Sequence, residues 1–240
     1  MVTKQDLEKM AQNFDTSKDF DAVMAYYDVL EIADKLRGRD ILEMGSSAGT
    51  VTRYLLPHAS RLDIVEGSKT GIERTRELLG DERINYFHEC WEDFKPNEKY
   101  SDIVFVRGLE HVEEPSELLS MMKDWITDDG RIHIIVPNAH SLHRKVMFAQ
   151  GELPDLYALR DRDHQVGHVQ VYDKENLERD VKNSGLNVDY SSGFFVKPIS
   201  TSQMGDISMS PNHPLVRACY SAGKIFPELG TQLYVVGEKK

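Results

Sequence analysis

Between residues 40 and 136, short apolar runs alternate with longer amphipathic stretches, and this alternation constrains the chain more than any other feature. Parallel strands need a crossover between them, so the pattern reads as a parallel sheet covered by helices. Strands are expected at 40–44, 61–65, 84–87, 103–107 and 131–136, with helices at 50–56, 69–79 and 116–125. The runs are apolar at successive positions, as strands buried on both faces require. Gly80 closes one helix, and Pro115-Ser116 opens another. Upstream, helices are expected over 4–13 and 21–36, with Gly38 as the stop. Downstream, Pro137 ends the fifth strand and a helix follows over 141–150. The polar stretch from Gly151 to His168 reads as a long loop. Asp173 then caps a helix running through Lys182, closed by Gly185. Two last strands, 188–195 and 232–237, flank a helix at 214–225.

No linker divides these elements, so the 240 residues are expected to form one domain. Within it, 1–37 is a helical cap, 38–137 a cofactor-binding core, and 138–240 a substrate-facing loop with a C-terminal hairpin. The formal net charge of -11 opposes a polyanionic partner, and the basic residues are scattered, so nucleic acid is not expected. No apolar run approaches the roughly 20 residues that span a bilayer, and the N-terminus lacks an apolar signal core. A cytoplasmic location without membrane contact is expected. Cys90 and Cys219 have neither CxxC nor zinc-finger spacing and are expected as free thiols.

The chemistry-bearing segment is Glu43-Met44-Gly45-Ser46-Ser47-Ala48-Gly49, a small-residue turn leaving the first strand. Such a turn lets backbone amides approach a ligand closely. Glu66 ends the second strand, where a carboxylate can accept both hydroxyls of a ribose. The dinucleotide fingerprint G-x-G-x-x-G is absent, which disfavours an NAD-dependent oxidoreductase or epimerase.

The E-x-G-x-x-x-G spacing resembles the turn of class I S-adenosylmethionine-dependent methyltransferases, with Ser47 at the usual middle glycine. The resemblance runs over residues 38–137. FHECWEDF aligns with the segment that frames the adenine, Cys90 replacing the usual aspartate. LEHVEEP follows the fourth strand like the family's fourth motif, and DDGRIHIIVPN resembles its fifth-strand unit. The chain looks like the small soluble members that act on sugars and secondary metabolites. The resemblance implies an α/β, doubly wound, seven-stranded, mostly parallel Rossmann-like sheet with an N-terminal helical lid. Five parallel strands would be followed by an antiparallel hairpin. S-adenosylmethionine would be the cofactor and S-adenosylhomocysteine the product. Gly45, Ser46, Ser47 and Gly49 would hold the methionine portion, with Glu43 as the acidic lead; Glu66 would hold the ribose and Trp91 with Glu92 the adenine, and Gly67 and Cys90 would also belong to the cofactor site. Arg107 and Gly108 would lie beside the methionine end. A non-catalytic cofactor-binding protein is the other reading; Ser47 and Cys90 favour it, the intact LEHV segment opposes it.

Methyl transfer needs an acceptor lone pair, so a proton acceptor is chemically sensible. His111, His140, His143 and His168 are the candidate bases, at the end of the sheet where α/β proteins place ligands; His164 stands in the same stretch. Each alone reads as a capping or loop residue. Metal binding is disfavoured, because no helical pair places two histidines on one face, although Glu110, His111 and the later histidines have ligating chemistry. Phe14, Tyr26 and Tyr27 read either as a lid or as packing. Lys197 or Gln203 would meet an acidic substrate. The partner expected is a small-molecule acceptor, with oxygen and nitrogen both open and a homodimer allowed.

Overall fold

The computed structural model describes residues 3–240. Seven strands form one sheet: β1 (Asp40–Met44), β2 (Arg61–Val65), β3 (Ile84–Phe87), β4 (Tyr100–Val106), β5 (Ile126–Pro137), β6 (Asn187–Phe194) and β7 (Gln232–Glu238). Their spatial order is β3-β2-β1-β4-β5-β7-β6. The first five pair in parallel, and β7 enters antiparallel between β5 and β6. The sheet reverses its winding at β1 and β4, where strand order switches and a crevice opens beyond the carboxyl ends.

The helices are α1 (Lys4–Asn13), α2 (Asp21–Ala33), α3 (Thr52–Leu55), α4 (Lys69–Leu79), α5 (Pro115–Trp125), α6 (Leu142–Ala149), α7 (Asp161–Gln165), α8 (Lys174–Asn183), α9 (Thr201–Ile207) and α10 (Pro214–Ile225). Successive strand residues point to opposite faces. Ile41, Ile64 and Val104 therefore pack on one side with Val23, Tyr27 and Ile32 of α2 and Val216 of α10. Leu42, Val65, Ile103 and Phe105 face the other side with Leu118, Leu119 and Met122 of α5 and Leu177 and Val181 of α8. Full burial of each such side chain stabilises the fold by about 1.5–3 kcal/mol.

Several boundaries differ from the sequence expectation. α2 stops at Ala33, three residues early, and the 50–56 helix shrinks to α3 followed by a 3-10 turn at Leu56–His58. β5 begins at Ile126, because Tyr100 pairs with Ile126 before a register shift. The closing strands pair antiparallel but form no tight hairpin: residues 195–231 separate them and carry α9 and α10. The stretch from Gly151 to His168 contains α7. Among the described residues, no helix is long and apolar enough to cross a membrane.

Candidate functional site

The carboxyl ends of β1, β2, β4 and β5 open into a cavity of about 700 Å³, within the range of small-molecule sites. Its floor is the turn after β1. Gly45 (φ 83°) and Gly49 (φ 74°) adopt left-handed conformations, and a Cβ on Gly45 would stand 3.0 Å from the Trp91 ring. Only glycine meets both demands at Gly45 without strain. Ser47 is left-handed too, at φ 50°, a conformation that costs an L-residue roughly 1–2 kcal/mol. Its hydroxyl lies 3.2 Å from that of Thr16.

Glu66 holds this turn in place. Its Oε2 accepts hydrogen bonds from the backbone N–H groups of Ser46 (3.0 Å) and Ser47 (2.9 Å), and its Oε1 accepts one from Ser68 (2.8 Å). Burial pushes the carboxyl up, and these three amides oppose the shift. Helix α3 is a single turn, and the amides of Gly45 and Gly49 are engaged by the carbonyls of Val65 and Ser46.

Helix α1 roofs the cavity through Leu7, Met10 and Ala11, with Phe14 following. Glu8 pins it: the carboxylate accepts from the Thr70 hydroxyl (2.5 Å), the Ser68 hydroxyl (2.9 Å) and the Thr70 amide (3.2 Å). Chiefly through the Thr70 hydroxyl, the Glu8 carboxyl is held down at about 2. Lys4 donates to the His88 carbonyl (2.6 Å), and Arg74 to those of Ala11 (2.7 Å) and Phe14 (3.1 Å). Phe14 thus belongs to the roof. Tyr26 and Tyr27 do not: Tyr26 packs edge-on against Tyr54, and buried Tyr27 contacts Phe195 and Tyr220.

Of the expected cofactor residues, Gly45, Ser46, Ser47, Glu66, Gly67, Cys90, Trp91, Glu92 and Arg107 line the cavity. Glu43, Gly49 and Gly108 stand off its wall. Glu43 is buried beneath the turn with neither oxygen hydrogen-bonded, and burial pushes its carboxyl up to about 8. Gly49 abuts Thr75 of α4, and Gly108 abuts the Phe105 ring. Trp91 packs edge-on against Phe105, ring centroids 4.9 Å apart, and lines the cavity along with Glu66.

The far end of the cavity is charged and mostly paired. Arg107, left-handed at φ 50°, turns its guanidinium onto buried Asp28 of α2. Arg144 donates to the carbonyls of Leu156 (3.0 Å) and Ala158 (2.6 Å), and Arg160 pairs with Asp163 at 3.1 Å. Arg162 pairs with Asp19 at 2.9 Å. Glu110 stands among them without a hydrogen-bond partner, and burial pushes its carboxyl up to about 8.

The four candidate histidines diverge. His111 and His168 both line the cavity, their rings edge to face with centroids 4.8 Å apart. Burial lowers both, His168 to about 4 with the neighbouring His111 adding to the effect. His143 reaches the cavity from α6, but burial and then the Lys197, Arg160 and Arg144 charges drive it down to about 2. Such an imidazole accepts a proton poorly near neutrality. His140 precedes α6 and turns away, 3.2 Å from the Tyr157 hydroxyl, in a separate depression with Asn138 and Lys174. His164 is exposed on α7. Lys197 is fully buried and donates to the Ile199 carbonyl (2.9 Å), while Gln203 folds back to accept from the Ser200 amide (2.9 Å); neither lines the cavity.

The sequence did not anticipate α7, α9, or the pairing of Arg107 with Asp28. A capping box, Ser200-x-x-Gln203, marks the start of α9 and was a legible signal. The Arg107–Asp28 pair joins residues 79 apart and had none.

The fold is that of a methyltransferase domain. The pattern of the methyltransferase-domain family matches residues 18–191, and the chain belongs to that family. Its fold is similar to that of the N-methyltransferase NodS from Bradyrhizobium japonicum WM9, solved with S-adenosyl-L-homocysteine. That match has 15% identity and a TM-score of 0.62, over 98% of this chain and 97% of the other. An S-adenosylmethionine-dependent methyltransferase from Mesorhizobium loti matches at 15% identity and TM-score 0.63, over 90% and 98% of the two chains. DhpI, solved with SAM and HEP, matches at 16% identity and TM-score 0.58, over 97% and 94%. No curated protein sequence matches the chain.

Proposed function

We propose that this protein transfers a methyl group from S-adenosylmethionine to an oxygen or nitrogen atom of a small-molecule acceptor. The observation that carries the reading is Glu66: a carboxylate at the end of β2, facing the cavity and locked to the amides of the β1 turn. A ribose diol finds there an acceptor already in position. The spacing of that turn disfavours a pyrophosphate, and structural neighbours solved with S-adenosylhomocysteine or SAM support the same cofactor.

Bound S-adenosylmethionine supplies the electrophilic sulfonium methyl and leaves as S-adenosylhomocysteine. The chain's own groups position and shield. Ser46 and Ser47 present the turn to the amino-acid tail, Trp91 and Glu92 flank the adenine, and Leu7, Met10 and Phe14 close the site from water. Closure of this kind excludes competing hydrolysis and fixes the in-line approach on which the rate depends. At the other end, Glu110, His111 and His168 form the corner that receives the reacting group of the acceptor. His143 and His140 lie outside that corner. The cavity is roofed and of modest volume, which suits a small acceptor and not a polymer.

Calorimetry with S-adenosylhomocysteine tests the reading: one site per chain, weakened in Glu66→Ala, is expected. Absence of binding by the purified wild-type protein overturns it.

A further inference from the structure

Glu110 is the side chain of the cavity least accounted for by protein partners. It is 1% exposed, and neither carboxylate oxygen accepts a hydrogen bond. A buried carboxyl group is normally hydrogen-bonded, paired with a cation or bound to a metal. The nearby arginines do not serve, since Arg107 is engaged by Asp28, Arg160 by Asp163 and Arg162 by Asp19.

Two imidazoles do stand beside it. His111 follows Glu110 in the 3-10 turn Leu109–His111, and His168 arrives just after α7. One ligating atom from each of the three residues lies within 4.8 Å of the others. His168 presents Nε2 to Glu110 Oε1 at 3.9 Å and turns Nδ1 toward Asp163 Oδ1 at 3.7 Å.

We propose that Glu110, His111 and His168 bind one divalent cation of the first transition row, with Asp163 as the outer carboxylate that orients His168. Two imidazoles and one carboxylate make a mixed nitrogen and oxygen donor set. Zinc, cobalt, manganese and iron accept such a set, whereas magnesium and calcium prefer oxygen alone. Metal–ligand bonds of about 2.0–2.2 Å place neighbouring donor atoms roughly 3–3.5 Å apart. The donor atoms, within 4.8 Å of one another, would have to draw together by about 1–2 Å on binding. A carboxylate behind the second imidazole nitrogen is the usual outer-shell arrangement, because it fixes the tautomer and the ring orientation. Three protein ligands leave coordination positions open toward the cavity.

The cation site rests on these side chains alone; its use rests on the methyl-transfer reading. An acceptor bearing a hydroxyl group would dock at the open positions. A +2 charge there favours loss of the hydroxyl proton to water, which readies the oxygen for the methyl carbon and favours an oxygen acceptor over an ammonium. Helix spacing does not bring these three residues together; a 3-10 turn and the segment after α7 do.

The test is titration of the untagged, metal-stripped protein with Co2+, followed by its visible d–d absorption, with S-adenosylhomocysteine binding measured in parallel. Expected is one Co2+ per chain, weakened roughly 100-fold in both Glu110→Gln and His168→Ala and about 10-fold in Asp163→Asn. S-adenosylhomocysteine affinity in each variant reports that it remains folded. His168→Gln replaces any variant that loses this affinity. The proposal is overturned if the wild type takes up no stoichiometric Co2+, or if both ligand variants bind it as tightly as the wild type. Failure of S-adenosylhomocysteine to bind the wild type would sink the methyl-transfer reading and leave the Co2+ result standing on its own.

Discussion

The carboxylate of Glu66 accepts a hydrogen bond from the backbone N–H of Ser47 at 2.9 Å, tying the end of β2 to the turn after β1. The same oxygen accepts from Ser46, so one side chain from the second strand shapes the loop of the first. Loop geometry and the proposed ribose contact therefore depend on one residue. Glu66→Ala removes the ribose acceptor and leaves three amides without a partner. Its S-adenosylhomocysteine affinity is expected to fall by about 10- to 100-fold, or 1.4–2.7 kcal/mol, by calorimetry. An unchanged affinity removes the ribose assignment.

Ser47 holds a left-handed conformation where the resembling family has glycine. Ser47→Gly relieves that conformation at the loss of one hydroxyl contact to Thr16. Stability is expected to stay level or rise by up to about 1 kcal/mol, with cofactor affinity retained. Ser47→Val adds a β-branched side chain at a positive φ and is expected to cost about 1–3 kcal/mol. Urea unfolding of the two variants checks both signs.

Arg107 and Asp28 form a buried pair joining β4 to α2. Burial pushes the Asp28 carboxyl up to about 6 even with the guanidinium beside it. Arg107→Ala leaves that carboxylate buried and unpaired, at an expected cost of about 3–5 kcal/mol. Combining it with Asp28→Asn is expected to recover part of the loss. Additive effects in this double-mutant cycle would show that the pair is uncoupled.

These contacts divide what the sequence showed from what it hid. The β1 turn and Glu66 were legible because each lies at the end of a short apolar run, so strand periodicity alone put them at the same edge of the sheet. Trp91, four residues beyond β3, was legible through the family resemblance of FHECWEDF and not through periodicity. The acceptor end was not. Residues from α1, α2, the turn after β4, and the segment around α7 meet there, and no local pattern connects Met10, Asp28, Glu110 and His168. Helix α7 is five residues long and held by charge pairs, so it carries no apolar stripe to detect. His140 and His143 are three positions apart, yet one precedes the N-cap Ser141 and the other lies within α6, which sends them to different cavities.

Lys197 supplies a pH dependence. Burial first, then the Arg160 and Arg162 charges, lower its ammonium to about 7, while Asp21 pulls the other way. The folded state thus binds this proton less tightly than the unfolded chain does. Its unfavourable contribution is full below about 7 and fades as pH rises toward the unfolded value of 10.5. Lys197→Met is expected to stabilise the protein by on the order of 2 kcal/mol at pH 7, and by clearly less at pH 9.5. Equal effects at the two pH values in urea unfolding would contradict this.

Calorimetric titration of the wild-type protein with S-adenosylhomocysteine tests the central claim most directly. One saturable site per chain is expected, with no comparable heat from NAD. Saturable binding of NAD, with none of S-adenosylhomocysteine, would contradict it.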